Sequence, residues 1–310
     1  MNDQLHSIIV SHYGLRNVRI ASAPRQFVAE TYIVKTADRQ TFFCKVVDKP
    51  LFIPKIISSL PVLDALHNVG FERINFPIKT LTDSLYVRLG ETLVVLFNYI
   101  EAEQSYDFDY EAFGRLLGEV HAVTDRIKVV IPTERFLLKH SYTFEAGFEE
   151  ILTTKSRDVT TQGLQYLLLE YESEIRRHYA SLQRIIDECS YNNFHLVITH
   201  GDAGGNVLVK APTDLYLIDW DEILLAPPER DLWTHSSNPA IMAGYRSVFP
   251  QYQMNEVARK YCTCSQYFDY IAYFLAEILG DSPEPNRQNK LRDLGDYFEG
   301  WIRPYIDDIY

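Results

Sequence analysis

The segment 197–222 constrains this chain more than any other, because two short apolar runs in it each end in polar side chains. The first run leads to Asp202, a glycine-rich loop then delivers Asn206, and the second run leads to Asp219. Two carboxylates and a carboxamide thus follow short strands that are close in sequence. Phosphoryl transfer needs this layout, in which one aspartate accepts a hydroxyl proton while an asparagine and a second aspartate hold magnesium on a nucleotide.

Asp202 is the candidate general base of this segment. The apolar run before it predicts a rigid strand, and Gly201 allows a sharp backbone turn before the carboxylate. Taken alone, an aspartate at this point is more typical of an Asx turn, and its combination with Asn206 and Asp219 favours catalysis. His200 is a second titratable group here, and we expect its ring to hold the loop by hydrogen bonding to the backbone rather than to act as a base.

Asn206 and Asp219 are the candidate metal ligands, since Mg²⁺ prefers hard oxygen donors. One carboxylate and one carboxamide are enough when nucleotide phosphates and water complete the coordination shell. Asp219 alone is also compatible with a helix cap or a turn. Asp221 and Glu222 follow it and are expected to play a supporting or surface role.

Bulk composition places the chain among ordinary globular proteins. It has 310 residues, 46% of them hydrophobic and 23% charged, which argues against disorder. No apolar run approaches the ~20 residues of a membrane span, and the first residues lack the pattern of a signal peptide. The sequence therefore predicts a cytoplasmic protein, and its four scattered cysteines are expected to be buried or incidental thiols.

Charge is unevenly distributed along the chain. The first hundred residues hold 11 Lys and Arg against 8 Asp and Glu, whereas the whole chain carries a net charge of −12. A basic N-terminal part suits an anionic nucleotide. The acidic remainder suits a cationic small molecule and disfavours nucleic acid, although a solvated acidic surface is an equally good explanation.

Hydrophobic periodicity predicts an α+β fold. The first hundred residues read as a helix at 3–13, hairpins at 27–35 with 41–47 and at 85–89 with 92–99, and a helix at 53–69 interrupted near Pro61. Later segments, 109–123, 161–189, 253–280 and 286–301, have helical spacing. We expect a sheet-rich N-terminal nucleotide-binding lobe (1–100), a hinge (101–107) and a larger, mostly helical catalytic and substrate-binding lobe (108–310), as in a protein kinase.

Two groups of residues carry a family resemblance: His200-Gly201-Asp202 with Asn206, and Ile218-Asp219-Trp220-Asp221. They resemble the signature of the aminoglycoside phosphotransferase and choline kinase-like family, and the segment 219–232 looks especially like the spectinomycin phosphotransferase branch. The resemblance implies ATP-dependent transfer to a small-molecule hydroxyl, with GTP as a possible donor and Mg²⁺ as cofactor.

The same resemblance implies roles for two residues outside the loop. Asp231 would anchor the catalytic loop from behind. Lys45 would reach the α and β phosphates of the nucleotide; its pattern alone is equally compatible with a solvating charge on an edge strand. Adenine would meet the backbone near Phe97, Tyr99 and Ile100, where the second hairpin ends.

Three features depart from the family pattern. Asn206 lies four residues after Asp202 rather than five. Gly204 and Gly205 could let the shortened loop still present the carboxamide, since glycine tolerates positive φ; a damaged loop with weak metal binding is the alternative. The helix at 53–69 offers only Asp64 as an acid for Lys45. The expected phosphate loop, residues 22–27, has no glycine; Arg25 is its candidate phosphate contact, although a surface arginine is the simpler explanation.

The acceptor site is expected among the C-terminal helices. Asp269, Tyr273 and Glu277 would share a helix face, with Tyr270 beside them, and would bind ammonium groups or cage a quaternary ammonium. An amphipathic helix with an aromatic core face explains the same spacing equally well.

The sequence thus predicts a phosphotransferase that modifies a hydroxyl of a small, cationic, aminoglycoside-like or aminocyclitol-like molecule and confers antibiotic resistance. Two alternatives stay open. One is a metabolic kinase for choline, homoserine or a sugar, and the other is a nucleotide-binding protein with impaired catalysis. We expect a monomer or a homodimer, with no nucleic acid and no membrane partner.

Overall fold

The computed structural model describes residues 2–23, 29–141, 143–156 and 158–309. The packing of the chain defines two compact units. The first unit comprises residues 1–134, 196–231 and 238–252, and the second comprises residues 135–195, 232–237 and 253–310. This grouping follows packing density, and the lobe boundaries at 100 and 108 remain a prediction.

The N-terminal part of the first unit is a five-stranded antiparallel sheet with two helices. Its elements are α1 (Asn2–Tyr13), β1 (Arg19–Ser22), β2 (Glu30–Lys35), β3 (Thr41–Val47), α2 (Ile53–Asn68), β4 (Val87–Leu89) and β5 (Thr92–Asn98). The strand order is β1-β2-β3-β5-β4. Both predicted hairpins are present, although β2 begins at Glu30 and the predicted start at residues 27–28 lies outside the described residues.

Helix α2 runs through Pro61 without the predicted interruption. A proline inside a helix removes one hydrogen bond and costs about 3 kcal/mol when nothing compensates. Here Leu60, Val62 and Leu63 on both sides of it are buried, so core packing holds the helix in one piece. The Ser59 hydroxyl also donates to the Ile56 carbonyl one turn earlier.

The remainder of the first unit carries short strands and two crossing helices. Its elements are β6 (Glu103–Gln104), α3 (Tyr110–Ala122), β7 (Val197–Thr199), β8 (Val207–Ala211), β9 (Asp214–Leu217), β10 (Leu224–Ala226) and α7 (Pro239–Val248). Strands β6, β8 and β9 form one antiparallel sheet and β7 pairs with β10. The segment 101–107 therefore contains a short strand, β6, rather than only unpatterned backbone.

Helices α3 and α7 approach each other closely at two glycines. A Cβ atom on Gly114 would lie 1.9 Å from the carbonyl oxygen of Ile241, and one on Gly244 would lie 1.9 Å from that of Glu111. Only glycine fits at these two positions of the crossing. The contact fixes α3, whose residue His121 reaches the site described below.

The second unit is helical. It contains α4 (Phe148–Thr153), α5 (Val159–Ser190), α8 (Glu256–Leu279), α9 (Glu284–Asp296) and α10 (Arg303–Ile306), with π-helical turns at Thr143–Gly147 and Tyr297–Trp301; the four-residue α6 (Glu229–Leu232) spans the division between units. Apolar faces of α5, α8 and α9 build its core around Leu168, Tyr267, Phe298 and their neighbours. Among the described helices, none is both long and apolar enough to cross a membrane.

Candidate active site

The loop after β7 turns sharply at Gly201 and presents Asp202. Gly201 has φ +89°, a conformation that favours glycine, and a Cβ there would meet the Arg230 guanidinium group. The predicted sharp turn before the carboxylate is therefore present. Burial is the main reason that the pKa of Asp202 is raised, and the negative charges of Asp219 and Glu222 add to it, against the opposing effects of His200 and Asn206. A raised pKa brings a carboxylate nearer to the value that suits a general base at neutral pH.

Asp231 lies beneath this loop and binds its backbone. Its Oδ2 accepts a hydrogen bond from the His200 amide at 2.8 Å, and its Oδ1 accepts one from the Gly201 amide at 2.6 Å. The side chain is fully buried. Asp231 therefore binds two successive backbone amides of the loop, and its predicted anchoring role stays a prediction.

His121 completes the support of Asp231, and the sequence pattern showed it only as part of the apolar face of a helix. Its Nε2 lies 3.1 Å from Asp231 Oδ2, and its Nδ1 lies 2.9 Å from the Tyr245 hydroxyl on α7. Burial alone would raise the pKa of Asp231, but the hydrogen bond and charge of His121, with Arg230 and His200, lower it to about 2. Asp231 is thus held as a buried, hydrogen-bonded carboxylate.

The His200 ring ties the loop to the second chemistry-bearing segment, as its predicted structural role requires. Its Nδ1 accepts from the Asp202 amide at 3.2 Å, and its Nε2 donates to the Ile218 carbonyl at 2.8 Å. Both ring nitrogens are therefore occupied by backbone, which leaves no ring atom to act as a base. Ile218 is also bound on its other side, since its amide donates to the Asn206 carbonyl at 3.0 Å.

Asn206 reaches Asp202 in spite of the shortened loop. Its Nδ2 donates to the Asp202 carbonyl at 2.8 Å and to Asp202 Oδ2 at 3.0 Å. The loop does this without positive φ at Gly204 or Gly205, since neither is among the positive-φ glycines of the described chain. The turn closes through the backbone amide of Asn206, which donates to the Ala203 carbonyl at 3.1 Å.

Asp219 follows β9 in a left-handed conformation, with φ +63°. Aspartate tolerates this region better than most residues, but a non-glycine residue there is uncommon and costs of the order of 1 kcal/mol. Its carboxylate is thereby directed at Lys45 of β3, with Oδ1 2.7 Å from Nζ.

Lys45 has a second carboxylate partner that the sequence did not indicate. Asp221 Oδ2 lies 2.6 Å from Lys45 Nζ, and the lysine side chain is only 3% exposed. Burial alone would lower the pKa of Lys45, but Asp221 and Asp219 together raise it above its usual value. Lys45 is therefore a buried ammonium group held by two carboxylates, and not a solvating charge on an edge strand.

The residues around Asp219 fit a divalent cation. Burial raises the pKa of Asp221, and the carboxylates of Asp219 and Glu222 raise it further against the effect of Lys45. A site with more carboxylates than cations is one that a bound metal ion relieves. Both hydrogen bonds of the Asn206 side-chain amide use Nδ2, so its Oδ1 and the Asp219 carboxylate would be the oxygen donors for such an ion, and their role as ligands stays a prediction.

The backbone expected to meet adenine follows β5. Phe97 is buried in that strand against Phe43, while Tyr99 and Ile100 lie just beyond its end and the Tyr99 side chain is 42% exposed. Their assignment to nucleotide binding stays a prediction. Of the expected phosphate loop, only Ser22 and Ala23 are described; Arg25 lies outside the described residues.

The three predicted acceptor residues all belong to α8 in the second unit. Asp269 is already paired with His140 Nε2 at 2.7 Å and Lys139 Nζ at 3.5 Å. The Lys290 ammonium group lies 5.5 Å from the centre of the Tyr273 ring. Basic side chains therefore already contact Asp269 and Tyr273, two of the three residues predicted to bind a cationic acceptor. Glu277, one turn further along α8, is half-buried. Their role in acceptor binding stays a prediction.

Comparison with known proteins assigns the chain to a family. The model of the family described as "Phosphotransferase enzyme family" (APH) matches residues 20–261, which is most of the chain. The protein therefore belongs to this family of phosphotransferases. A search of the curated proteins found no match.

Solved structures share the fold. Spectinomycin phosphotransferase APH(9)-Ia, in complex with ADP and spectinomycin, is 20% identical, with 96% of this chain and 94% of that chain covered and a TM-score of 0.76. An aminoglycoside phosphotransferase from Alicyclobacillus acidocaldarius is 15% identical, with 97% and 93% covered and a TM-score of 0.58. Amicoumacin kinase hAmiN, with AMP-PNP, Ca²⁺ and Ami, is 10% identical, with 97% and 96% covered and a TM-score of 0.58. The predicted α+β, protein-kinase-like fold class is confirmed.

Proposed function

We propose that this protein transfers the γ-phosphate of ATP, in the presence of Mg²⁺, to a hydroxyl of a small cationic molecule of the aminoglycoside or aminocyclitol type. One observation carries the proposal: the first unit gathers a buried Lys45, two hydrogen-bonded residues, Asp202 and Asn206, and Asp219 within one network. A phosphotransferase needs these four roles together.

Asp202 is the proposed base. It orients the acceptor hydroxyl and takes its proton as the hydroxyl oxygen bonds to the γ-phosphorus; the bond from that phosphorus to the β–γ bridging oxygen breaks, and ADP leaves. Asn206 Nδ2 donates to Asp202 Oδ2 at 3.0 Å and so fixes the carboxylate in one orientation. The Asp231 carboxylate fixes the loop from below through the amides of His200 and Gly201.

Lys45 is the proposed contact to the nucleotide phosphates, and backbone at Tyr99 and Ile100, beside Phe97, the contact to adenine. Asn206 and Asp219 would hold Mg²⁺, which when bound neutralises charge on the phosphates. ADP in the spectinomycin phosphotransferase complex and AMP-PNP in the amicoumacin kinase complex support a nucleotide as donor. We place this reaction in the cytoplasm, and assign the enzyme no membrane or nucleic-acid partner.

The retained geometry favours an active enzyme over an impaired nucleotide-binding protein. A damaged loop would leave Asn206 away from Asp202, whereas the amide reaches it at 3.0 Å. An unsupported Lys45 would lack a carboxylate, whereas it has two. The cationic nature of the acceptor rests on the acidic remainder of the chain. Asp269, Tyr273 and Glu277 are proposed acceptor contacts. Binding of a cation there would require Asp269 to exchange His140 and Lys139 for the acceptor.

The test is an ADP-release assay with purified protein, ATP or GTP, Mg²⁺, and a panel of aminoglycosides, spectinomycin, choline, homoserine and sugars. We expect acceptor-dependent ADP release with a cationic aminocyclitol or aminoglycoside. Asp202→Asn should lower kcat by at least 10²-fold, the size of effect expected for a general base, while the nucleotide still raises the thermal unfolding midpoint.

Asp38→Asn, on an exposed hairpin turn, is the matched control and should keep full activity. Turnover with choline, homoserine or a sugar alone would replace the acceptor class by a metabolic one. Nucleotide binding without turnover on any acceptor would establish the impaired-protein alternative. Unchanged kcat in the Asp202 variant would remove this residue as the base.

A further inference from the structure

The Lys45 ammonium group forms ion pairs with two carboxylates, those of Asp219 and Asp221. A phosphate-binding lysine must be held in place before the nucleotide arrives, because a buried ammonium group without a carboxylate partner is unstable. The family pattern would place that carboxylate on helix α2. The only acid of α2 is Asp64. Its carboxylate instead lies 3.2 Å from Lys79 Nζ and accepts a hydrogen bond from Asn68 Nδ2 at 3.2 Å.

Asp219 forms an ion pair with Lys45 in the structure and is also a proposed metal ligand. Under the proposed function its carboxylate binds the metal ion that accompanies the nucleotide. One carboxylate oxygen is already 2.7 Å from the lysine, so metal binding and lysine binding draw on the same group. A further partner is needed that stays with Lys45 throughout.

Asp221 meets that need. Its Oδ2 is 2.6 Å from Lys45 Nζ, and its side chain is 21% exposed against 28% for Asp219. Trp220 between the two aspartates is buried, with its indole donating to the Leu217 carbonyl at 2.9 Å, and it anchors the backbone from which both carboxylates project. The two aspartates are thereby directed at one ammonium group from positions two residues apart.

We propose that Asp221 is the positioning residue that holds Lys45 for the nucleotide phosphates, in place of an acid from helix α2, and leaves Asp219 free to bind the metal ion. This inference rests on the proposed function. It assigns a specific role to a residue that, from its sequence position alone, appeared only as a neighbour of the metal ligand.

The test compares the kinetics of Asp221→Asn with those of the wild type at varied ATP and Mg²⁺. The amide keeps the shape and one acceptor but removes the charge, so Lys45 then pairs with Asp219 alone. We expect KM for ATP and the half-saturating Mg²⁺ concentration each to rise by about tenfold, which corresponds to about 1.4 kcal/mol, with a smaller fall in kcat. Asp221→Glu, which restores the charge, should recover part of the loss.

Asp64→Asn is the matched control, because it removes an aspartate from another Lys–Asp pair of the same unit. It should leave both constants within twofold of the wild type. The reverse pattern, in which Asp64→Asn raises KM and Asp221→Asn does not, would show that α2 supplies the partner and would overturn the inference.

A double-mutant cycle with Lys45→Ala tests whether Asp221 acts through the lysine. In the Lys45→Ala background, Asp221→Asn should change nucleotide affinity by less than twofold, measured by titration so that no turnover is needed. If Asp221→Asn lowers nucleotide affinity as much in the Lys45→Ala background as in the wild type, the positioning role is refuted. The same conclusion holds if the loss of affinity comes from poor folding of Asp221→Asn, because that loss would not depend on Lys45. Absence of turnover in the wild type would instead refute the proposed function, and the affinity cycle would still decide the role of Asp221.

Discussion

At the scale of single residues, the site separates into local features and long-range partners. His200, Gly201 and Asp202 lie within one turn, and the glycine and the carboxylate are recognisable from their order alone. Asp231 and its partner His121 are 110 residues apart, and Lys45 and Asp221 are 176 apart. A sequence pattern reports which face a residue occupies, but not which distant residue packs against it, so these pairs became visible only in the fold.

Asp231 provides a prediction about acid stability. Its pKa is lowered to about 2 in the folded protein from an ordinary value of 3.8, so its contribution to stability is complete above about pH 4 and is lost as pH falls towards 2. The shift corresponds to about 2 kcal/mol. Urea unfolding of wild type and Asp231→Asn should therefore show a free-energy difference at pH 5 that shrinks by this order as pH approaches 2.5.

Asp38→Asn is a suitable reference for that experiment, since this residue lies exposed on a hairpin turn. Its unfolding free energy should follow the wild type across the same pH range. A difference between wild type and Asp231→Asn that stays constant with pH would contradict the low pKa of the buried carboxylate.

At the scale of elements, most helices and strands follow from periodicity, and the exceptions have physical causes. Helix α2 continues through Pro61 because both sides of the proline are buried, which local propensity does not register. Strand β6 inside the expected hinge forms only because Glu103 and Gln104 pair with β8, a hundred residues further along the chain. Tertiary contacts, rather than composition, decide both cases.

The crossing of α3 and α7 gives a prediction at this scale. Gly114→Ala places a methyl group against the Ile241 carbonyl, and backbone cannot move aside as a flexible side chain can. Overpacking of this kind costs about 1–3 kcal/mol. The variant should unfold at lower urea concentration and lose activity, because α3 also carries His121.

Gly295→Ala in α9 is the comparison, since a Cβ there has no heavy atom within 4 Å. Alanine is the better helix former, so this change should be neutral or stabilise by up to about 0.5–1 kcal/mol. Equal destabilisation by both substitutions would mean that helix propensity, and not the close approach, determines the effect at Gly114.

At the scale of the whole molecule, the predicted roles divide between the two packing units. Every residue proposed for catalysis, metal or nucleotide lies in the first unit, whereas Asp269, Tyr273 and Glu277 lie in the second. The fold class follows from the sequence, whereas the sequence predicts the candidate base and metal ligands in the same lobe as the acceptor residues. The assembly of the first unit from three separate segments does not follow from the sequence, because hydrophobic periodicity does not report which segments pack together.

This division predicts where nucleotide binding stabilises the protein. At a hundredfold excess over Kd, MgATP should raise the free energy of unfolding by about 2.7 kcal/mol. Amide hydrogen exchange should then slow chiefly in the first unit, at 41–47, 197–199 and 214–221, with less change along α8. Slowing of comparable size along α8 would indicate that the nucleotide also engages the second unit.

The interleaved order of the units has a consequence for synthesis on the ribosome. The first unit needs α7, which ends at Val248, to close against α3, although its sheet is complete by Asn98. At about 5–20 residues per second, the early sheet therefore waits roughly 8 to 30 s for α7 to be synthesised. During that interval the nascent chain holds an assembled sheet but no finished site, so chaperone dependence and premature truncation should affect this enzyme most before residue 252 is made.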